Sequence, residues 1–461
     1  MPGGFDISTK ALRDELDGPL LLPGDDGYDE ARAVWNAMVD RRPRLVARCA
    51  NTADVAAAIR FGRTHDLEIG VRCGGHGILG AAVPEDGLMI DLTPMGAVRV
   101  DPRARRARVQ GGALLGALDV ASQAHGLATT AGNVSHTGVG GLTLGGGMGW
   151  LARQHGLSCD NVVSFEVVTA EGRRVQANAE DNPELYWGLR GGGGNFGVVT
   201  DFEFALHPEA GRTLLADFFF ELDDAPAAFR GWRDLNATAP RQATFTAWVG
   251  DKDGRPQASV GLVWVGDPDE GRKLLPALRA LGRPAAESVR ELTYLELQTM
   301  DDSVEGHTFR RYWKGQYFSE LSDAAIEAFL LRGTPDGRGE GLPAASLQAY
   351  GGAIAAVPVA DTAFSQRDAL FEFVAAARWD DPAEDEARMA AARRYGRALS
   401  PFASGAYVNV LADEGSAGVR SAYRTEQLAR LTALKDAWDP DNVFHLNHNI
   451  RPSRATPGGP A

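Results

Sequence analysis

Apolar residues in the first 200 or so positions fall into two alternating rhythms. Residues 44–48 read as a short strand, after which Asn51-Thr52 offers a helix N-cap, and Val55, Ala58 and Ile59 ride one face of a helix running through His65. Residues 69–72 are the next strand, and 88–92 and 106–109 read as further strands. Leu114, Leu115, Leu118 and Ala121 have helical spacing. Residues 161–169 form a strand that turns at Glu171-Gly172 and returns over 174–176 as a hairpin. Asn182-Pro183 starts a helix, with Pro in its first turn, and 199–206 is a strand with one wet face. Near the start, a short helix is expected around 12–16 and another over 28–38. This alternation of strand and helix is the mark of an α/β layer. After about residue 210, strands at 214–220, 244–249 and 259–265 are interspersed with helices at 269–281 and 324–331, which predicts a second domain with an antiparallel sheet.

Three glycine-rich runs interrupt these rhythms. The first, Val71-Arg72-Cys73-Gly74-Gly75-His76-Gly77, follows a strand directly. Paired glycines let a ligand approach the backbone, and successive N–H groups in such a turn can cradle an anion. An imidazole, His76, stands beside that cradle, which suits a cofactor both held and tethered; a tight surface turn containing a histidine is the alternative on these residues alone. The second run, from Gly138 to Trp150, is interleaved with Val, Leu and Met rather than Ser, which argues for backbone lying against a ligand and against a solvated linker. The third contains Gly192, Gly194 and Gly197 in GxGxxG spacing. That fingerprint needs a strand before it and a helix after it. Here the order is reversed, which excludes a Rossmann NAD site.

Composition narrows the class. A chain of 461 residues is too long for one core, so two domains are expected. The formal net charge of −14 disfavours a nucleic-acid partner. No apolar run is long enough to cross a membrane, and the first residues lack the features of a signal peptide. Three cysteines, Cys49, Cys73 and Cys159, without CxxC spacing, fit a reducing cytoplasm and neither a disulfide framework nor a zinc site.

Six segments together resemble the berberine bridge enzyme-like FAD-linked oxidases of the vanillyl-alcohol oxidase and p-cresol methylhydroxylase superfamily. They are Arg72 to His76, Gly138 to Gly149, Gly156-Leu157-Ser158-Cys159-Asp160-Asn161, Arg190 to Gly197, Tyr407-Val408-Asn409, and Asp439-Pro440-Asp441-Asn442-Val443-Phe444 with Asn447 and Ile450. The resemblance implies an α+β protein: a two-subdomain FAD-binding domain of the p-cresol methylhydroxylase type, from residues 1–210 plus 422–461, with an inserted antiparallel-sheet substrate domain over 211–421. It implies FAD joined covalently through His76. A second tether, a cysteine in some members, falls at Val134 here, so one link is expected. The implied cofactor contacts are Arg72, Cys73, Gly74, Gly75, His76, Gly77, Thr137, Gly138, Gly140, Gly141, Thr143, Gly145, Gly146, Gly147, Gly149, Trp150, Gly197, Val198, Tyr407, Asn409 and Asn447.

The proton acceptor is not carried over. Relatives place a glutamate or a tyrosine at positions occupied here by Ala356 and Val410. The candidates are His136 beside the glycine run, Tyr407, and, from the inserted domain, Tyr312, Lys314 and Tyr317, of which Tyr312 and Lys314 share a face if 311–318 is a strand. The expected activity is hydride transfer from an alcohol or amine carbon of a small or natural-product molecule to the flavin, and then to O2 or another acceptor. An amine, which needs no strong base, is mildly favoured. The alternative is a flavoprotein that binds a small drug-like molecule without turnover.

Overall fold

The structure, a computed structural model, describes residues 9–209, 211–252, 254–302 and 308–454. The N-terminal part carries two sheets and a short pair. β1 (Leu20–Leu21), β2 (Leu45–Arg48), β3 (Ile69–Arg72) and β4 (Leu88–Asp91) form a four-stranded sheet in the order β1-β2-β4-β3, with β4 parallel to both β2 and β3. β5 (Val98–Asp101) and β6 (Arg106–Gln110) are followed by β7 (Leu127–Ala128), β8 (Val162–Val168), β9 (Arg174–Asn178), β10 (Val198–Ala205) and β11 (His207–Pro208). Their five-stranded sheet has the order β5-β6-β10-β8-β9, with β8 and β9 as the expected hairpin, and β7 pairs with β11.

The rest of the strands make one seven-stranded antiparallel sheet. They are β12 (Arg212–Glu221), β13 (Ala243–Lys252), β14 (Arg255–Val265), β15 (Ala286–Thr293), β16 (Arg310–Phe318), β17 (Ala344–Ala349) and β18 (Phe371–Trp379), in the order β15-β12-β14-β13-β17-β18-β16. One face is apolar: Phe245, Leu347 and Phe373 pack with Phe229, Phe329 and Tyr395 from the helices Ala225–Asn236, Asp323–Leu331 and Asp385–Leu399. The opposite face of β16, β17 and β18 roofs the site described below. No helix of the described residues is long and apolar enough to cross a membrane.

Local signals explain most element boundaries. Asn51 Oδ1 accepts from the N–H groups of Ala53 at 2.8 Å and Asp54 at 3.0 Å, capping the helix Thr52–Thr64. Two expectations need correction. The helix expected over 269–281 is two short ones, Pro268–Arg272 and Leu275–Arg279, because Pro276 has no N–H to continue the ladder. The helix expected over 28–38 stops at Arg32, and Ala33 is extended. Beyond it, Trp35 N–H donates to Gly75 O at 3.0 Å and Ala37 N–H to Phe309 O at 2.9 Å. Tertiary hydrogen bonds outcompete helical ones there and dock this segment on the first glycine run.

Candidate active site

A cavity of about 630 Å³ runs between the three glycine runs and the seven-stranded sheet. β3 delivers Cys73, Gly74, Gly75, His76 and Gly77 to its wall. Gly138 lies against Gly74 so closely that a Cβ on either residue would collide with the other's backbone nitrogen. The two runs are therefore packed backbone to backbone, which only glycine permits. Gly140, Gly141, Gly197 and Val198 continue the wall. The helix Pro183–Leu189 precedes the third run and β10 follows it, the reverse of a dinucleotide fingerprint.

His76 is held from three sides. Its ring stacks on Trp35 at 4.6 Å between centroids and 16° between planes. Its Nε2 lies 2.6 Å from His136 Nδ1, and its Nδ1 lies 3.3 Å from Thr137 Oγ1. Trp35 meets Trp313 edge-on at 5.2 Å, so aromatic rings pass from the glycine run to the sheet. Val134, at the expected position of a second tether, lies on the same wall and is apolar.

Tyr407 and Asn409 line the cavity and act on the second glycine run. Tyr407 Oη accepts from Gly147 N–H at 2.8 Å and from Asn409 Nδ2 at 2.9 Å, and Asn409 Nδ2 also donates to Leu142 O at 2.9 Å. Burial pushes the Tyr407 phenol upward. With its oxygen taken by these donors, Tyr407 holds the loop in shape and is poorly placed to accept a substrate proton.

The other candidates separate. Tyr312 and Lys314 share a face of β16, as the period of a strand requires, but it is the face away from the cavity. Tyr312 Oη donates to Asp413 at 2.6 Å, and Lys314 Nζ pairs with Asp413 at 2.7 Å and with Glu414. The residue between them, Trp313, reaches the cavity instead. Tyr312 and Lys314 are thus corrected to a structural network. His136 is not on the described cavity wall and meets the site through His76. Of the expected cofactor contacts, Cys73, Gly74, Gly75, His76, Gly77, Thr137, Gly138, Gly140, Gly141, Gly197, Val198, Tyr407, Asn409 and Asn447 line the cavity. Arg72, Thr143, Gly145, Gly146, Gly147, Gly149 and Trp150 stand behind it. Arg72 donates to Ala31 O, Thr143 is hydrogen-bonded to Ser158 at 2.9 Å, and Trp150 packs among Leu215 and Val263.

Sequence reading missed Asn133, Gln348, Glu372, Asp301, Trp35 and Trp313, all on the wall. Glu372 had a visible signal, a carboxylate inside the apolar run Phe371-Glu372-Phe373-Val374. It is 7% exposed, accepts from Tyr350 Oη at 2.7 Å, and burial raises its carboxyl to about 7. Burial and the neighbouring Asp302 raise Asp301 as well.

The wall suits a polar heterocycle. Asn133 Oδ1, Gln348 Nε2, Asn447 Oδ1 and Trp35 Nε1 are buried there without a partner among the described residues. Buried polar atoms are normally paired, so four orphans on one wall ask for a ligand. A Cβ on Gly77, Gly141 or Gly194 would meet nothing within 4 Å, leaving their backbone open to the cavity.

Comparison with known proteins agrees with this geometry. Residues 43–178 match the FAD binding domain family model, and residues 406–451 match the berberine and berberine-like model. The chain is 29% identical over 450 residues to an uncharacterized FAD-linked oxidoreductase, YvdP, of Bacillus subtilis, covering 95% of this chain and 99% of that protein. It is 29% identical over 462 residues to (R)-6-hydroxynicotine oxidase of Paenarthrobacter nicotinovorans, covering 95% and 97%. The structure of BBE-like 1 from Physcomitrella patens superposes with a TM-score of 0.87 at 25% identity, covering 95% and 97%. The chain therefore carries an FAD binding domain and a berberine-like C-terminal segment, and over nearly its whole length it is similar to FAD-linked oxidoreductases with the p-cresol methylhydroxylase-type FAD-binding fold.

Proposed function

We propose that this protein oxidises a small amine or alcohol by hydride transfer to FAD held through a single covalent bond to His76, with electrons passing on to O2 or another acceptor. The observation that carries the reading is the placement of His76: an imidazole on the cavity wall, clamped by Trp35, Thr137 and His136. The FAD-binding part is proposed as residues 1–210 with 422–461 and the substrate part as 211–421, so the cavity lies between them. Three free cysteines, two of them buried, suit the cytoplasm.

Bound FAD supplies a two-electron acceptor for the substrate carbon. The residues of the chain do the rest. Orphaned amide atoms of Asn133, Gln348 and Asn447 offer hydrogen bonds to the cofactor and substrate. Trp313, Val374 and Ala376 give the substrate an apolar roof that keeps water away. The described wall carries Asp301 and Glu372 and no Lys or Arg. That balance favours a neutral or cationic molecule over an anion, and hence an amine. The similarity to (R)-6-hydroxynicotine oxidase supports the same choice.

The test is anaerobic. Purified protein is mixed with benzylamine, N-methylbenzylamine, nicotine, benzyl alcohol and glucose, and bleaching of the flavin absorbance is followed. Reduction by at least one compound is expected, with amines ahead of sugars. Binding by several and reduction by none would leave a sequestering flavoprotein instead.

A further inference from the structure

The loop of residues 132–137 carries His136 and Thr137, two of the groups that hold His76, and it is gripped by a distant part of the chain. Ser135 N–H donates to Asp302 Oδ1 at 2.8 Å, and Ser135 Oγ donates to Asp302 Oδ2 at 2.6 Å. Both oxygens of one carboxylate are thus engaged by a single residue 167 positions away in sequence. Ser135 O accepts from Gly116 N–H at 2.8 Å, so every polar atom of Ser135 has a partner. Ser135 also packs on Gly116, where an added Cβ would stand 3.0 Å from Ser135 Cβ. His136 follows directly, and on its far side Thr137 O accepts from Leu115 N–H at 2.9 Å.

The residue that supplies the carboxylate is itself anchored. Asp302 follows shortly after the helix Tyr294–Gln298, which starts with a capping box of Thr293 and Glu296 and buries Tyr294 and Leu297 among Leu215 and Trp150. Asp302 N–H donates to Thr299 O at 3.2 Å. Gln298, at the end of that helix, ties the same loop a second time: its Nε2 donates to Gly132 O at 2.9 Å and to Asp119 at 3.0 Å. Neither Ser135 nor Asp302 lines the cavity, so the pair acts on the loop and not on a molecule bound there.

From this clamp we infer that Asp302 is a positioning residue for the His76–His136 pair. By holding Ser135 at two points it keeps His136 Nδ1 at 2.6 Å from His76 Nε2, and so sets the rate at which His76 is joined to the flavin. The inference rests on the covalent attachment proposed above. In that attachment His76 Nδ1 forms a bond to a carbon of the flavin, and that carbon loses one C–H proton. His76 Nε2 gives its proton to His136. The two electrons and two protons released end on O2, which becomes hydrogen peroxide. His136 serves this exchange only while its ring faces His76, and the backbone on either side of it is fixed through Ser135 and Thr137.

The chemistry of the clamp suits this role. Hydrogen bonds to a carboxylate are shorter and stronger than neutral ones. An N–H and a hydroxyl of one residue on the two oxygens of one carboxylate fix its orientation as well as its position. A shift of about 1 Å in a reacting group can lower a rate about a hundredfold, far beyond its effect on stability. The arrangement also orders assembly. The histidine pair is complete only once the segment 294–302 has docked on the loop, so the flavin is joined to a chain whose two parts already meet.

The experiment follows covalent attachment by intact mass at fixed times after FAD is added to the flavin-free chain. Wild type, Asp302→Ala, Asp302→Asn, Ser135→Ala and His136→Ala are compared, together with the double variant Asp302→Ala/His136→Ala. Asp302→Ala should attach FAD several-fold more slowly than wild type, close to His136→Ala. Asp302→Asn still offers an oxygen to the Ser135 N–H and should recover most of the rate. In the His136→Ala background Asp302→Ala should cause no further slowing, because the two residues lie on one path. Equilibrium FAD uptake in the His76→Ala background should be unchanged by Asp302→Ala. A readout that needs no flavin is the imidazole N–H proton resonance between His76 and His136, expected in wild type and Asp302→Asn and lost in Asp302→Ala. Attachment at wild-type speed in Asp302→Ala would overturn the inference. Equal slowing with and without His136 would overturn it too, since that is the mark of general support to the fold. If Asp302→Ala does not fold, Ser135→Ala decides by the same comparison, since it loses only the Oγ bond. No attachment in wild type would remove the covalent bond from the proposed function, and the imidazole resonance would then decide the clamp by itself.

Discussion

His76 Nε2 and His136 Nδ1 lie 2.6 Å apart, sixty residues separated in sequence and joined across two glycine runs. Only one of these nitrogens can donate. With His136 accepting, the proton of His76 sits on Nε2 and the lone pair is on Nδ1, the nitrogen beside Thr137. That tautomer is nucleophilic on the Thr137 side, and in the proposed tether His136 would be placed to take the Nε2 proton as the ring is alkylated.

The proposed tether predicts a simple outcome. Denatured wild type keeps its yellow chromophore and gains the mass of one FAD, while His76→Ala releases the flavin on denaturation. His136→Ala should retain FAD but show a several-fold lower covalent fraction, read by intact mass at fixed times after FAD addition. Colourless denatured wild type would remove the covalent bond from the reading, and full attachment at wild-type speed in His136→Ala would remove the role of that residue.

Tyr312 and Lys314 should behave as structural residues. Lys314 joins Asp413 and Glu414, and Arg393 also pairs with Asp413. Lys314→Met leaves two carboxylates with one fewer cation, and should lower stability by about 1–2 kcal/mol. The fastest substrate should still reduce the flavin within about twofold of the wild-type rate. A loss of a hundredfold without a change in stability would return Lys314 to the chemistry. The cations around Asp413 also hold its carboxyl well below the ordinary range. A depressed carboxyl stabilises above its unfolded value and loses that contribution as pH falls, so the Met variant should unfold at a less acidic pH than wild type.

These two residues also show what a strand pattern conveys. Period-two alternation correctly groups Tyr312 with Lys314 and sets Trp313 apart, but not which group faces the ligand. In an ordinary antiparallel sheet the polar side faces water. Here β16 is covered on both sides, by the helix Asp385–Leu399 and by the cavity, so polarity does not label the faces. The glycine runs were legible because dense glycine among apolar residues has few other uses. Trp35 was not, since its place depends on the donation of its N–H to Gly75 across the fold. Glu372 stood in plain view inside an apolar run, and only the pairing of β18 with β17 shows that it faces a cavity rather than solvent.

A buried acid away from the flavin predicts the pH dependence of stability. Asp119, on the helix Leu115–Gln123, is fully buried and accepts from Gln298 Nε2 at 3.0 Å. Burial raises its carboxyl from 3.8 to about 7. Between those values the unfolded chain has released a proton that the folded chain still holds, so stability falls as pH rises through that window. Asp119→Asn keeps an acceptor for Gln298 and has nothing to ionise. Its thermal midpoint should exceed that of wild type at pH 8, by about 1–3 kcal/mol of stability, and the gap should close below pH 4. A constant difference at every pH would place the effect in packing.

Gly138 and Gly141, three residues apart, should fail in different ways. A Cβ on Gly138 would strike the backbone nitrogen of Gly74 and the sulfur of Cys73, neither of which can move without separating two loops. Gly138→Ala should therefore cost about 1–3 kcal/mol or more before any ligand is considered. A Cβ on Gly141 meets no protein atom within 4 Å and points into the cavity region. Gly141→Ala should leave the apoprotein's thermal midpoint close to wild type while weakening FAD uptake at least tenfold, because the methyl group occupies space that the cofactor needs. Midpoints measured on flavin-free protein, set beside FAD titrations of both variants, separate the two effects. Normal FAD affinity in Gly141→Ala would mean that this stretch of backbone faces an empty part of the cavity and that the cofactor lies elsewhere along the wall.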